Sequence, residues 1–207
     1  MNGPANYPLQ PVTLGRSGAW THGWAHVRSG ALWLDEPSMQ DLQDLHDIYG
    51  DERSWRNRPH RVHVEPQQTA RMIQRSRDRF SSTGLAYWSI REQPGGKVIG
   101  WGGCAIPRGR PWWNLTYRIH PDYWGRGYAA QVAHRAMEAA QTLRPTLPIL
   151  AYTDMENAAS IAVLNKLKLR RVLDGSSRSD AREYLVVYLD RDPMPDYLKE
   201  ISRLLLA

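Results

Sequence analysis

The chain has 207 residues, enough for one domain with a sizeable core and an appendage. Apolar residues make up 42% of it, with 9 Trp and 10 Tyr, which excludes a disordered chain. A formal charge of +6 and a pI near 9.6 favour anionic partners: nucleotide-like cofactors, nucleic acid or acidic membrane surfaces.

One cysteine, Cys104, excludes an internal disulfide and gives no reason to expect secretion. No apolar run reaches spanning length, and no charged-then-apolar leader opens the chain. The expected location is the cytoplasm, without membrane attachment.

Residues 1–30 are rich in Gly, Pro, Ser, Trp and His without a period, and read as an irregular extension on which Trp20 and Trp24 could dock the chain. Ala31 to Leu34 suits a first strand. Ser38 with Asp41 forms a capping pattern, and Leu42, Leu45, Ile48 and Tyr49 recur at helical spacing, so a helix is predicted over 39–49. Asp51 to Pro66 is a polar, proline-containing loop that carries Trp55. A second helix is predicted over 67–80. Strands are predicted over 86–91 and 97–106, joined at Gln93-Pro94-Gly95-Gly96, and again over 113–119. A helix from Tyr128 to Gln141 buries Ala129, Val132, Ala136 and Met137. A strand over 149–153, a helix from Asn157 to Leu167, strands over 169–173 and 182–189, and a helix over 194–206 complete the order. The fold class is α/β or α+β. The domains read as an extension over 1–30, a main domain over 31–192 and a C-terminal helix over 193–207.

The stretch between the strand ending at Ile119 and the helix starting at Tyr128 carries the chemistry. Gly125 and Gly127 allow positive φ and close approach of the backbone to a ligand. A glycine turn at a helix N-terminus collects N–H groups without helical partners, and with the helix dipole it favours a phosphate. The spacing fits neither a P-loop nor the three-glycine dinucleotide fingerprint. On the residues alone, a plain helix start remains the other reading.

Trp124-Gly125-Arg126-Gly127-Tyr128-Ala129 resembles the pyrophosphate loop of the GNAT acyltransferases, with Trp in the slot that is usually Gln or Arg. The aromatic pair and the Gly-Tyr-Ala ending resemble the RimJ/RimL branch, as do Asn157-Ala-Ala-Ser160 and Val163 to Leu167. The resemblance covers about residues 31 to 190. It implies a mostly antiparallel sheet, opened between its fourth and fifth strands, with helices on both faces. It also implies acetyl-CoA as co-substrate, no metal, and transfer of acetyl to a primary amine. That amine would be a protein N-terminus or a small molecule. Ribosome association and a homodimer are the further partner expectations.

The same resemblance assigns roles. Trp124, Gly125, Arg126, Gly127, Tyr128 and Ala129 would hold the pyrophosphate. Tyr117, Arg118 and Ile119, on the opened strand, would hold pantetheine and the acetyl carbonyl. Asn157 would meet pantetheine, or serve only as an N-cap. Ser160 would protonate the leaving thiolate, or be only a small surface residue. The tyrosine that many members use for this, seven residues after the Asn, is here Leu164. Lys168-Leu169 stands where the family usually has Gly-Phe. The general base is poorly marked: Asp154 could take the amine proton or belong to the following helix's cap, and Tyr117 is the other catalytic candidate.

Trp55 and Trp113 are expected to line the acceptor cleft, with Glu156 or Asp154 at its floor, although such Trp residues are also common core anchors. The scattered His60 and His63 read as surface loop, not as metal ligands, and Cys104 as a packing thiol. Two other functions fit parts of the sequence. One is a catalytically silent acyl-CoA-binding module, and the other is a basic nucleic-acid binder, which lacks a recognised binding motif.

Overall fold

The computed structural model of the chain describes residues 23–56, 58–180 and 183–206. One eight-stranded sheet runs in the order β1-β2-β3-β4-β5-β6-β8-β7. Its strands are β1 His26–Ser29, β2 Leu32–Asp35, β3 Tyr87–Arg91, β4 Gly100–Ala105, β5 Trp113–Ile119, β6 Ile149–Asp154, β7 Arg170–Ser176 and β8 Tyr184–Leu189. The helices are α1 Leu42–Gly50, α2 Pro66–Thr83, α3 Tyr128–Leu143, α4 Ala158–Lys166 and α5 Pro195–Leu205. Neighbouring strands are antiparallel except β5 and β6.

The predicted elements are present, with local shifts. The Ser38–Asp41 capping box forms, and it starts a short 3-10 turn that leads into α1. His26–Ser29, inside the stretch expected to be irregular, form β1. The reason is Gly30: at φ +55° it closes a tight turn that pairs Ser29 with Leu32. Trp24 is buried, and its carbonyl accepts the Trp88 indole N–H at 2.6 Å. Trp20 lies outside the described residues.

Side-chain alternation divides the sheet into two faces. Trp113, Leu115 and Ile119 of β5 join Ile149 and Ala151 of β6 in the main core, under α3 and α4. On the other face, Tyr49 and Trp55 pack with Trp101 between β4 and the α1–α2 region. Leu150, Val187 and Leu189 pack there with Ile201 of α5. The amphipathic C-terminal helix thus covers the β6–β8 half of the face that α1 and α2 leave bare.

Candidate functional site

β5 and β6 are paired only at Trp113–Ile149 and Asn114–Leu150, after which they part. The Thr116 and Arg118 carbonyls lie against the backbone of β4. Beyond the paired stretch, by alternation, Tyr117 and the N–H of Ile119 turn to the opened side. Backbone hydrogen-bonding groups of a mid-sheet strand therefore face a wedge there instead of a neighbour.

The wedge widens toward the C-terminal ends of both strands, where α3 and α4 begin. Gly125 and Gly127 adopt φ of +78° and +77°, and a Cβ at either would meet nothing within 4 Å. Gln131 is the first residue whose N–H closes α3, onto the Gly127 carbonyl at 3.1 Å. The N–H groups of Tyr128, Ala129 and Ala130 thus have no partner within the helix. The loop is an open, exposed cradle of donors at the positive end of a sixteen-residue helix.

Its side chains are held from behind. The Trp124 indole N–H donates to the Ile119 carbonyl at 2.7 Å, so the ring in the Gln/Arg slot caps the last carbonyl of the opened strand. The Arg126 guanidinium stacks on Tyr123 and pairs with Glu92 at 3.1 Å, and the Tyr128 hydroxyl donates to the same carboxylate at 2.5 Å. The Arg126 pair is half exposed and therefore weak.

On the α3/α4 side of the wedge, the Tyr117 hydroxyl donates to the Ser160 carbonyl at 3.2 Å. Burial pushes the Tyr117 pKa upward, so the phenol stays protonated at neutral pH. Asn157 is the N-cap of α4, its side-chain oxygen accepting the Ser160 N–H at 3.1 Å. Tyr117 thus meets the Asn157–Ser160 turn, far from it in sequence, at one corner.

On the other side, Arg118, Tyr152 and Asp154 project from β5 and β6. Asp154 is buried, and its Oδ1 accepts the Glu156 N–H at 2.9 Å, so it shapes the turn into α4. Glu156 itself is exposed. Arg118 donates to the Ser54 carbonyl, and its guanidinium lies 3.4 Å over the centre of the Trp55 ring. Tyr49, whose pKa burial pushes up to about 12, flanks it.

Three expected roles need correction. Arg118 turns its carbonyl to β4 and its side chain into an aromatic box, so it offers nothing to the opened edge. Trp113 is completely buried in the main core and has no surface in the cleft. Trp55 is on the expected side but 8% exposed, its N–H donating to the Tyr49 carbonyl at 2.7 Å. It supports Arg118 more than it lines a cleft.

Arg58, His60, Arg61 and Glu183 were not legible as site residues. Basic loop residues and a glutamate at a strand entrance usually mean solvent. Only the register that puts Glu183 on this face reveals the cluster. Cys104 is buried, with its pKa pushed up, as suits a packing thiol. A groove of 620 Å³ between α3 and α4, lined by His134, Met137 and Lys166 among others, lies away from the wedge.

A splayed parallel pair with a glycine cradle at its mouth is the geometry that the resemblance implies. The acetyltransferase (GNAT) domain matches residues 31–170. The chain belongs to the GNAT acetyltransferase family. Among solved structures, an acetyltransferase from Agrobacterium tumefaciens str. C58 is 22% identical, with a TM-score of 0.66 over 81% of this chain and 94% of that one. RimL, the ribosomal L7/L12 alpha-N-protein acetyltransferase, solved with coenzyme A, is 16% identical, with a TM-score of 0.64 over 79% and 96%. The ribosomal-protein-S5-alanine acetyltransferase of Vibrio fischeri is 12% identical, with a TM-score of 0.63 over 81% and 99%. At these identities the GNAT likeness speaks for the fold. No helix among the described residues is long and apolar enough to cross a membrane.

Proposed function

We propose that this GNAT-family chain transfers the acetyl group of acetyl-CoA to a primary amine by direct attack. The observation that carries the reading is the parting of β5 from β6 beside an open cradle of unspent N–H groups at the start of α3. The N–H groups from Gly125 to Ala130 would hold the pyrophosphate, with Arg126 released from Glu92 as an added contact. The Tyr117 backbone would pair with the pantetheine arm, and Asn157 would orient it from α4. Coenzyme A, solved with the RimL neighbour, suits this site because the cradle has room at both glycines and donors without helical partners.

The chemistry needs a donor at the leaving sulfur and an acceptor for the amine proton. Ser160 is the donor, its helix turn held to β5 by Tyr117. Asp154, on the opposite side of the wedge, is the carboxylate placed to take the proton. The amine therefore approaches from the side of Arg118 and Asp154.

Isothermal titration with acetyl-CoA, followed by thiol release with an amine panel, tests the reading. The panel includes peptides that copy ribosomal-protein N-termini, because such proteins are named for two of the structural neighbours. Saturable binding and amine-dependent release of CoA are expected. Absence of acetyl-CoA binding would sink the proposal, and binding without turnover on any amine would leave a silent acyl-CoA-binding module.

A further inference from the structure

On the face that carries Tyr152 and Asp154, a charged cluster gathers residues from three separate stretches. Arg58, His60 and Arg61 come from the α1–α2 connection, Asp154 from the end of β6, and Glu183 from the entrance to β8. The Glu183 side chain is 2% exposed. Its Oε1 lies 3.4 Å from Arg58 Nε, 3.4 Å from Arg61 Nε and 3.2 Å from His60 Nε2. None of these nitrogens reaches it with hydrogen-bond geometry.

Arg58 Nη2 is buried too, and has no hydrogen-bond partner among the described residues. A buried donor without a partner is costly, and more so when it is charged. Burial also pulls the Arg58 pKa below the usual guanidinium value, in spite of the nearby Glu183, Tyr152 and Asp154, while Arg61 pulls the same way. Arg58 Nη2 therefore lacks an acceptor. A carboxylate supplies one, in the planar paired geometry that a guanidinium fits. A cation does not suit this cluster, because Arg58 and Arg61 already face Glu183, the one buried carboxylate it would have to share with His60 and Asp180.

We infer that Arg58 determines acceptor specificity, and that the acceptor is an amine bearing a nearby carboxylate, either a free amino acid or an acidic peptide. This rests on the acetyltransferase reading above.

Two substrate pairs, each differing by one carboxylate, decide the matter. One is an α-amino acid against its amide, and the other a tripeptide with Asp against Asn at its second position. In at least one pair, wild-type kcat/KM is expected to favour the carboxylate about tenfold or more, mainly through KM. The pair that shows the preference identifies the source. R58M should bring the ratio close to one, and R58K should keep part of it. If R58M folds poorly because Glu183 has lost its partner, R58M/E183Q removes both charges together. Calorimetry of the same compounds on the CoA-loaded protein gives the comparison as binding. Ratios within about threefold in both pairs for the wild type, or an unchanged ratio in R58M, would overturn the inference while leaving acetyl transfer intact. Failure to bind acetyl-CoA would instead remove the reading on which it rests.

Discussion

Gly127 has φ of +77° and empty space where a Cβ would stand. A side chain there collides with nothing in the protein, but it must adopt the left-handed conformation, at a cost of about 1–2 kcal/mol. Gly127→Asp should therefore fold and melt a few degrees below wild type. It should also lose the rise in Tm that acetyl-CoA gives by binding the native state, because a carboxylate would face a polyanion across the cradle. A folded variant that still binds acetyl-CoA in calorimetry would refute the phosphate-loop assignment. At the opposite corner, Ser160→Ala should lower kcat by about 10²-fold or more with acetyl-CoA affinity unchanged, as for a group that acts in the transition state. Tyr117→Phe, measured in parallel, checks the assignment. A larger kcat loss there than in Ser160→Ala would move the proton donor to the phenol.

At the scale of elements, α3 and α4 are aimed by what precedes them. The Gly125–Gly127 turn and the Asp154–Asn157 turn bring two helix N-termini to the mouth of one wedge. The far end of α4 is less favourable. Lys168, in the place where the family usually has Gly, is the one non-glycine residue among those described with positive φ, at +60°. It ends the helix by donating to the Asn165 carbonyl, while Leu169 donates back to Leu164. Lys168→Gly relieves left-handed strain but adds chain entropy to the unfolded state. A net stabilisation of up to about 1 kcal/mol is expected in chemical denaturation. A destabilised variant would mean that the Lys168 side chain contributes packing that offsets its strain.

For the whole molecule, acid stability should depend on His63. Burial, reinforced by His46, Arg118, Arg75 and Arg71, lowers its pKa from 6.5 to about 4. Its Nδ1 meets Thr69 Oγ1 at 2.8 Å, and the ring stacks on Tyr49 at 4.6 Å. The unfolded chain therefore takes up this proton first, and stability falls as pH drops from about 6.5 toward 4. His26 acts in the opposite sense: its partner Asp35 raises its pKa, so its contribution is present below 6.5 and fades as pH rises through the raised value. His63→Asn should flatten the loss of denaturation midpoint between pH 7 and pH 5. An unchanged slope would show that other groups carry it.

The sequence by itself determined the element order from β2 onward, the β5–glycine–α3 passage and the Asn157 cap, because periodicity, glycine conformation and capping are local properties of neighbouring residues. It also marked Ser160 and Tyr117 as worth attention, although only the register of β5 shows that they touch. Tertiary structure decided the rest. Trp113 and Trp55 look alike in sequence as exposed aromatics or core anchors, and the face each residue occupies settled their places. Arg58 and Glu183 stand far apart in the chain, in stretches whose composition reads as solvent-facing. Their contact exists because β8 is inserted between β6 and β7, which turns Glu183 inward beside the α1–α2 loop. No local pattern encodes that pairing, since long-range strand order is fixed by packing of the whole sheet.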